Sequence, residues 1–214
     1  MTPCPYTAGK SATLRACNGE VDPGIAAGRG MRILLALAIG ALPAVSAAQG
    51  RFADAKLYVQ AGATSLQGDA THAMNVGVMV PSGLFKGISR DAGPLTLHWD
   101  LWGGHWRSHH ADGTTGGYSQ LGALMAWRYQ PAGPQSPWFL EAGLGGSVSD
   151  GLYNSGQRRF STAFQFTEVL AVGYRFGPAK AYEVSLRVQH FSNAGIKKPN
   201  PGENFMFLRL SLPW

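Results

Sequence analysis

His190 and Ser192 stand two residues apart in the stretch VQHFSNAGIKKPNPGENF, residues 188–205. On a β-strand, residues i and i+2 point the same way and lie roughly 6.5–7 Å apart at Cα. An imidazole so placed can reach a serine hydroxyl. Serine alone is a weak nucleophile, and a neighbouring base that takes its proton activates it. A carboxylate commonly fixes the imidazole tautomer and supports the charge the ring acquires. Glu203 is the nearest acid, across the Pro/Gly-stiffened segment GIKKPNPG and on the neighbouring strand. An attacked carbonyl also needs donors for its developing oxyanion, and Asn193 and Gly195 follow the serine. Lys197 and Lys198 are placed to meet lipid phosphates. Together these residue types suit nucleophilic attack on a carbonyl.

The elements that must carry them read as strands. Period-2 runs are expected at 56–66, 73–81, 94–107, 117–130, 137–149, 161–176, 181–193 and 203–214, separated by turn-rich clusters such as SHHADGTTGG, PAGPQSP, SDGLYNSG and GPAKA. The runs are about as long as tilted transmembrane strands, or slightly longer. In the last run Met206, Leu208, Leu210, Leu212 and Trp214 alternate with Phe207, Arg209 and Ser211. The expected fold class is all-β: an eight-stranded antiparallel transmembrane β-barrel, closed so that every backbone donor and acceptor is paired. Eight strands leave an interior that side chains fill, not a pore. Trp106, Trp127, Tyr129, Trp138, Phe139, Tyr174 and Phe176 are expected to form an aromatic girdle near strand ends. Asp100, Glu141, Glu168 and Arg187 are expected to form a charge network in the interior. Glu168 needs a bulge or a shifted boundary for this, because its parity is lipid-facing.

In the seventh run Val184, Leu186, Val188, His190 and Ser192 share one face, the lipid face. Polar groups facing lipid are costly near the midplane and less so near the interface. A functional site accounts for them. The alternative is that the strand has already left the hydrocarbon and the pair belongs to a wetted rim. With both termini periplasmic, the loop at 194–202 is extracellular and GPAKA is a short periplasmic turn; the 82–93 link is long for such a turn.

Composition agrees. Charged residues make up 14% of the 214 and Gly numbers 29, low charge and high Gly for a soluble domain. The net charge of +6 comes without a Lys/Arg-dense run, so no nucleic-acid partner is expected. MRILLALAIGALPAVSAAQG, beginning at Met31, reads as a secretory signal peptide over 31–48. Residues 1–30 are expected to be a non-native, disordered upstream extension from a start codon set too early, leaving 49–214 as the barrel. Residues 1–48 hold four of the 18 Lys/Arg and two of the 12 Asp/Glu, which leaves 14 basic and 10 acidic. Cys4 and Cys17 both fall in the removed part, so no disulfide or thiol chemistry is expected in the mature protein. No zinc-ligand spacing or phosphate-cradling Gly loop appears, so no metal and no cofactor are expected. His109 and His110 lie in a Gly/Asp-rich loop, where solvated side chains outweigh a metal site.

HFSNAGIKKPNPGENF closely resembles the signature of the PagL family, outer-membrane lipid A 3-O-deacylases. The likeness lies in His-x-Ser-Asn near the chain end, Pro-Asn-x-Gly in the loop and the acid that follows. It is strongest over 184–205, with weaker echoes in FLEAGLGGSV (139–148) and in the eight-strand length of 56–214. The resemblance implies an eight-stranded barrel with a Ser-His-Glu triad facing the membrane. It implies hydrolysis of the ester at position 3 of lipid A with release of a hydroxy fatty acid. By that resemblance Ser192 is the nucleophile, His190 the base and Glu203 the orienting acid. One departure stands out: in the aligned motif the family's acid falls on Asn204. Counting back from Trp214, Asn204 shares the lipid face and Glu203 does not. Glu203 is preferred, on the expectation that the strand begins after it and leaves it free to swing out; Asn204 is the alternative.

The expected partners are lipopolysaccharide (lipid A) as substrate and the membrane itself, with pairing of two copies left open. The expected location is the bacterial outer membrane. Two other functions compete: a non-enzymatic small barrel for adhesion or envelope stability, which would tolerate changes at Ser192 and His190, and a soluble lipocalin-like binder, against which the terminal Trp214 argues.

Overall fold

The computed structural model describes residues 54–64, 70–82 and 94–214. The expected signal peptide and upstream extension, and most of the 82–93 link, lie outside the described residues. Eight strands form one closed antiparallel barrel in sequence order: β1 (Lys56–Ala63), β2 (His72–Pro81), β3 (Leu95–His109), β4 (Thr115–Tyr129), β5 (Trp138–Ser149), β6 (Phe164–Phe176), β7 (Tyr182–Ser192) and β8 (Glu203–Pro213). β8 pairs back onto β1, from Lys56↔Pro213 to Ala63↔Met206, so no edge is left open. No helix among the described residues is long and apolar enough to cross a membrane.

The alternation runs opposite to that of a water-soluble barrel. On β8, Met206, Leu208, Leu210 and Leu212 are exposed while Phe205, Phe207, Arg209 and Ser211 are buried. On β7, Leu186 and Val188 are exposed while Glu183, Arg187 and Gln189 are buried. An outer surface of Leu, Val and Met around an interior of Arg and Glu is stable only in hydrocarbon. The eight strands agree with the period-2 runs to within a few residues at their ends.

The interior has two layers. Toward the turns at 130–137 and 177–181, buried charges neutralise one another. Arg128 bonds Glu141 at 2.9 Å and Glu183 at 2.8 Å. Arg187 bonds Glu141 at 2.6 Å and stands 3.5 Å from Asp100, which Arg209 reaches at 2.7 Å. Charges removed from water need such close pairing to offset their desolvation. Toward the loops at 150–163 and 193–202, the filling is aromatic. Trp106 packs against Tyr153, Phe191 and Phe205 at centroid distances of 5.4, 4.8 and 4.5 Å. This plug also holds Phe191 and Phe205, the inward neighbours of the residues that face outward at the ends of β7 and β8.

Three expectations are corrected. Trp106 and Phe139 point inward and are buried, because they share the parity of Asp100 and Glu141 respectively. The girdle at the turn end is built instead from Tyr129, Trp138, Tyr174, Phe176 and Tyr182. Glu168 takes no part in the interior network. The β6 ladder is regular on both sides, without a bulge, and Glu168 faces outward as its parity demands.

Candidate active site

The β7–β8 hairpin presents His190, Ser192 and Asn204 on the outer face at the loop end of the barrel. β7 runs unbroken to Ser192, so the parity of Leu186 and Val188 carries through to His190 and Ser192. Both are half-buried. The register sets His190 opposite Asn204 and Phe191 opposite Glu203.

His190 Nδ1 lies 2.7 Å from Asn204 Oδ1. An amide oxygen only accepts, so Nδ1 carries the proton and donates it. Nε2 is then left with its lone pair and can take a proton from a neighbouring hydroxyl. The ring edge lies over Gly202: a Cβ there would stand 2.7 Å from His190 Cε1 and 3.2 Å from Nε2. Gly202 also has φ of 65°, so glycine meets both the backbone and the space requirement. The β7–β8 ladder ends at the Phe191↔Glu203 rung. His190 and Ser192 share the outer face of β7, two residues apart. No hydrogen bond joins the two; Ser192 Oγ accepts the Ala194 N–H at 3.4 Å. Such contacts often tighten only when substrate is bound.

Glu203 does not meet His190, which corrects the expected contact. β8 begins at Glu203, already paired with Phe191, so its side chain is committed to the interior. There its carboxylate accepts the Tyr153 hydroxyl at 3.0 Å and lies 3.7 Å from Arg158. Burial pushes the Tyr153 hydroxyl well above the usual phenol range, so it remains a donor. Thr71 Oγ1, 2.6 Å away, donates to Tyr153 in turn.

Asn193 and Gly195 spend these donors within the 193–202 loop and on the facing 150–163 segment, against the expectation that they stand ready for an oxyanion. The Asn193 N–H goes to Asn200 Oδ1 at 3.0 Å, and Gly195 N–H goes to Asn193 Oδ1 at 3.0 Å. The Asn193 amide donates to Ser161, Thr162 and the Lys197 carbonyl at 3.1, 3.2 and 2.8 Å. Ser161 Oγ donates to the Lys197 carbonyl at 2.8 Å, and Arg158 donates to the Gly202 carbonyl at 2.7 Å. The 150–163 segment thus clasps the 193–202 loop. Nothing in the local pattern of SDGLYNSGQRRFST announces that role; only the abundance of Ser, Thr and Arg in a long loop hints at it.

His110 lies away from this cluster, 3.2 Å from Tyr118 Oη and 3.2 Å from Thr114 Oγ1. No group of three His, Cys, Asp or Glu side chains is placed to hold a metal among the described residues.

A sequence model of the family described as lipid A 3-O-deacylase (PagL) matches residues 74–213. The lipid A deacylase PagL of Bordetella bronchiseptica is 30% identical over 141 residues, covering 56% of this chain and 75% of that protein. The lipid A deacylase PagL of Pseudomonas aeruginosa is 31% identical over 121 residues, covering 56% of this chain and 66% of that protein. The crystal structure of the outer membrane enzyme PagL superposes with a TM-score of 0.56 at 24% identity, over 74% of this chain and 99% of that one, and supports the barrel fold. The family match spans β3 to β8 complete, with nearly all of β2, and so includes the whole β7–β8 hairpin: this chain belongs to the PagL family of lipid A 3-O-deacylases, barrels of the bacterial outer membrane.

Proposed function

We propose that this protein hydrolyses the ester-linked hydroxyacyl chain at position 3 of lipid A, with Ser192 as nucleophile, His190 as general base and Asn204 as the group that orients the imidazole. The observation that carries it is the 2.7 Å bond from His190 Nδ1 to Asn204 Oδ1, which leaves Nε2 as the ring nitrogen available to accept a proton, with Ser192 two residues along on the same face of β7. His190 Nε2 takes the Ser192 proton as Oγ attacks the ester carbonyl. The tetrahedral intermediate collapses, the C–O bond to the sugar breaks, and the imidazolium gives its proton to the departing oxygen. Water then attacks the acyl-serine with His190 again accepting a proton. Collapse releases the hydroxy fatty acid and restores the serine.

Facing the lipid suits this substrate. Lipid A occupies the outer leaflet, and an outward site meets it laterally without a route through the packed interior. Lys197 and Lys198, exposed on the loop beside the site, suit lipid A phosphates.

The test is the lipid A mass spectrum of a Gram-negative host that makes 3-O-acylated lipid A and expresses the chain from Met31. Wild type is expected to remove one hydroxyacyl mass, and Ser192→Ala and His190→Asn to remove none. Unchanged lipid A in membranes and in detergent, from wild-type protein shown to be folded, would leave a non-enzymatic barrel as the function.

A further inference from the structure

In the usual serine–histidine arrangement one carboxylate does two things: it orients the imidazole and balances its charge. Asn204 can do the first but, being neutral, not the second. The missing negative charge has to come from elsewhere, or the imidazolium forms unbalanced beside hydrocarbon.

Glu168 is placed to supply it. Among the described residues it is the only strand carboxylate on the outer face. It stands directly opposite His190 in the β6–β7 ladder. Side chains directly opposed on one face of an antiparallel pair have Cβ atoms about 4.5–5.5 Å apart. The remaining neighbours of Glu168 are apolar: Phe166 and Leu170 along β6, and Leu144 across on β5. It has no hydrogen bond or ion pair with any described residue. A carboxylate in that setting costs stability unless a cation forms beside it.

The other groups around His190 do not offer a negative charge. β8 contributes Asn204 and then Met206, and β7 contributes Val188 and Ser192. The 193–202 loop brings Gly202 under the ring and carries Lys197 and Lys198. The 150–163 segment brings Arg158, tied to the Gly202 carbonyl. Glu203 lies on the interior side of the sheet. The row across the outer face is thus Leu144, Glu168, His190, Asn204, with the imidazole between a carboxylate and an amide.

We propose that Glu168 is the counter-charge of the His190 imidazolium, a positioning residue on β6 that supplies what Asn204 on β8 cannot. This rests on His190 acting as the base. Asn204 fixes the tautomer and ring plane, while the Glu168 carboxylate favours the protonated ring once Ser192 has given up its proton. The two duties of one acid are divided between two strands.

The test uses the exported barrel, purified in detergent and assayed on 3-O-acylated lipid A in mixed micelles, with rates taken per folded protein. Glu168→Gln is expected to lower kcat at least about tenfold and to move the acid limb of the pH–rate profile to lower pH, since the ring loses its neighbouring negative charge. Glu168→Asp is expected to keep most of the activity. Asn204→Glu puts an acid on the other side of the ring, so Glu168→Gln/Asn204→Glu is expected to recover to within about threefold of wild type. Removing a lipid-facing charge should not unfold the barrel, and urea midpoints check that. A Glu168→Gln enzyme with wild-type kcat and an unmoved acid limb overturns the proposal. So does a loss of activity that Asn204→Glu fails to restore, which marks a packing role. If His190→Asn is inactive while Glu168→Gln is normal, only this inference falls; if His190→Asn is active, the base assignment falls with it.

Discussion

Asn204 and Glu203 are adjacent, each carries a side-chain oxygen acceptor, and they point to opposite sides of the sheet, so they provide the sharpest test of the site. Replacing Asn204 with Leu keeps the shape and removes the acceptor at 2.7 Å from His190 Nδ1. A hydrogen bond of this kind contributes about 1 kcal/mol net. Freeing the imidazole to sample other rotamers costs roughly another 0.5–1 kcal/mol on each approach to the reactive geometry. Together that is about 2 kcal/mol in the transition state, or roughly a 30-fold loss in kcat. KM for lipid A should stay put, because the bond to Asn204 is not a substrate contact. Glu203→Gln retains an acceptor for the Tyr153 hydroxyl and lies on the interior side, so kcat should remain within about threefold of wild type. The assay is hydroxy fatty acid released from lipid A in mixed micelles, quantified by mass spectrometry over a range of surface concentrations. A Glu203→Gln enzyme far slower than Asn204→Leu would refute the reasoning, since it would mean that the acid turns outward during turnover.

Two further outcomes follow from geometry already described. Gly202→Ala sets a methyl group 2.7 Å from His190 Cε1 and forces a left-handed backbone on alanine; kcat should fall at least about tenfold through a displaced ring, with the barrel still folded by its heat-modifiable gel mobility. Glu141→Leu leaves Arg187 with only the 3.5 Å contact to Asp100, and should destabilise the barrel by about 3 kcal/mol in urea unfolding while leaving the rate per folded molecule unchanged.

How far the sequence can be read depends on the range of the information needed. Strand positions depend on neighbours two residues apart, and the alternation of Met206, Leu208 and Leu210 with Phe207, Arg209 and Ser211 displays them directly. Parity also places His190, Ser192 and Asn204 outward and Glu203 inward. What parity cannot say is where β8 begins, because that depends on the Phe191↔Glu203 rung, a contact between strands. Preference for a carboxylate over an amide then selects Glu203 against its own parity. Glu168 goes astray for the same reason: its outward position is legible, but a lipid-facing acid reads as a register error until the ladder sets His190 beside it. Trp106 and Phe139 are assigned to the girdle by residue type, whereas parity with Asp100 and Glu141 sends them inward. The clasp of Arg158, Ser161 and Thr162 on the 193–202 loop joins residues more than 30 apart and has no local signature.

The outward row on β7 also fixes the dimension in which the protein works. Groups that open sideways into a leaflet encounter their substrate by diffusion in a plane, and the released fatty acid enters that same plane. The governing concentration is then a mole fraction among lipids, not an amount per volume of water. Adding inert lipid or detergent dilutes the substrate even when its bulk concentration is constant. Product accumulates beside the barrel until lateral diffusion disperses it. The same residues turned inward by a single-residue slip of register would face a packed interior and meet no lipid at all.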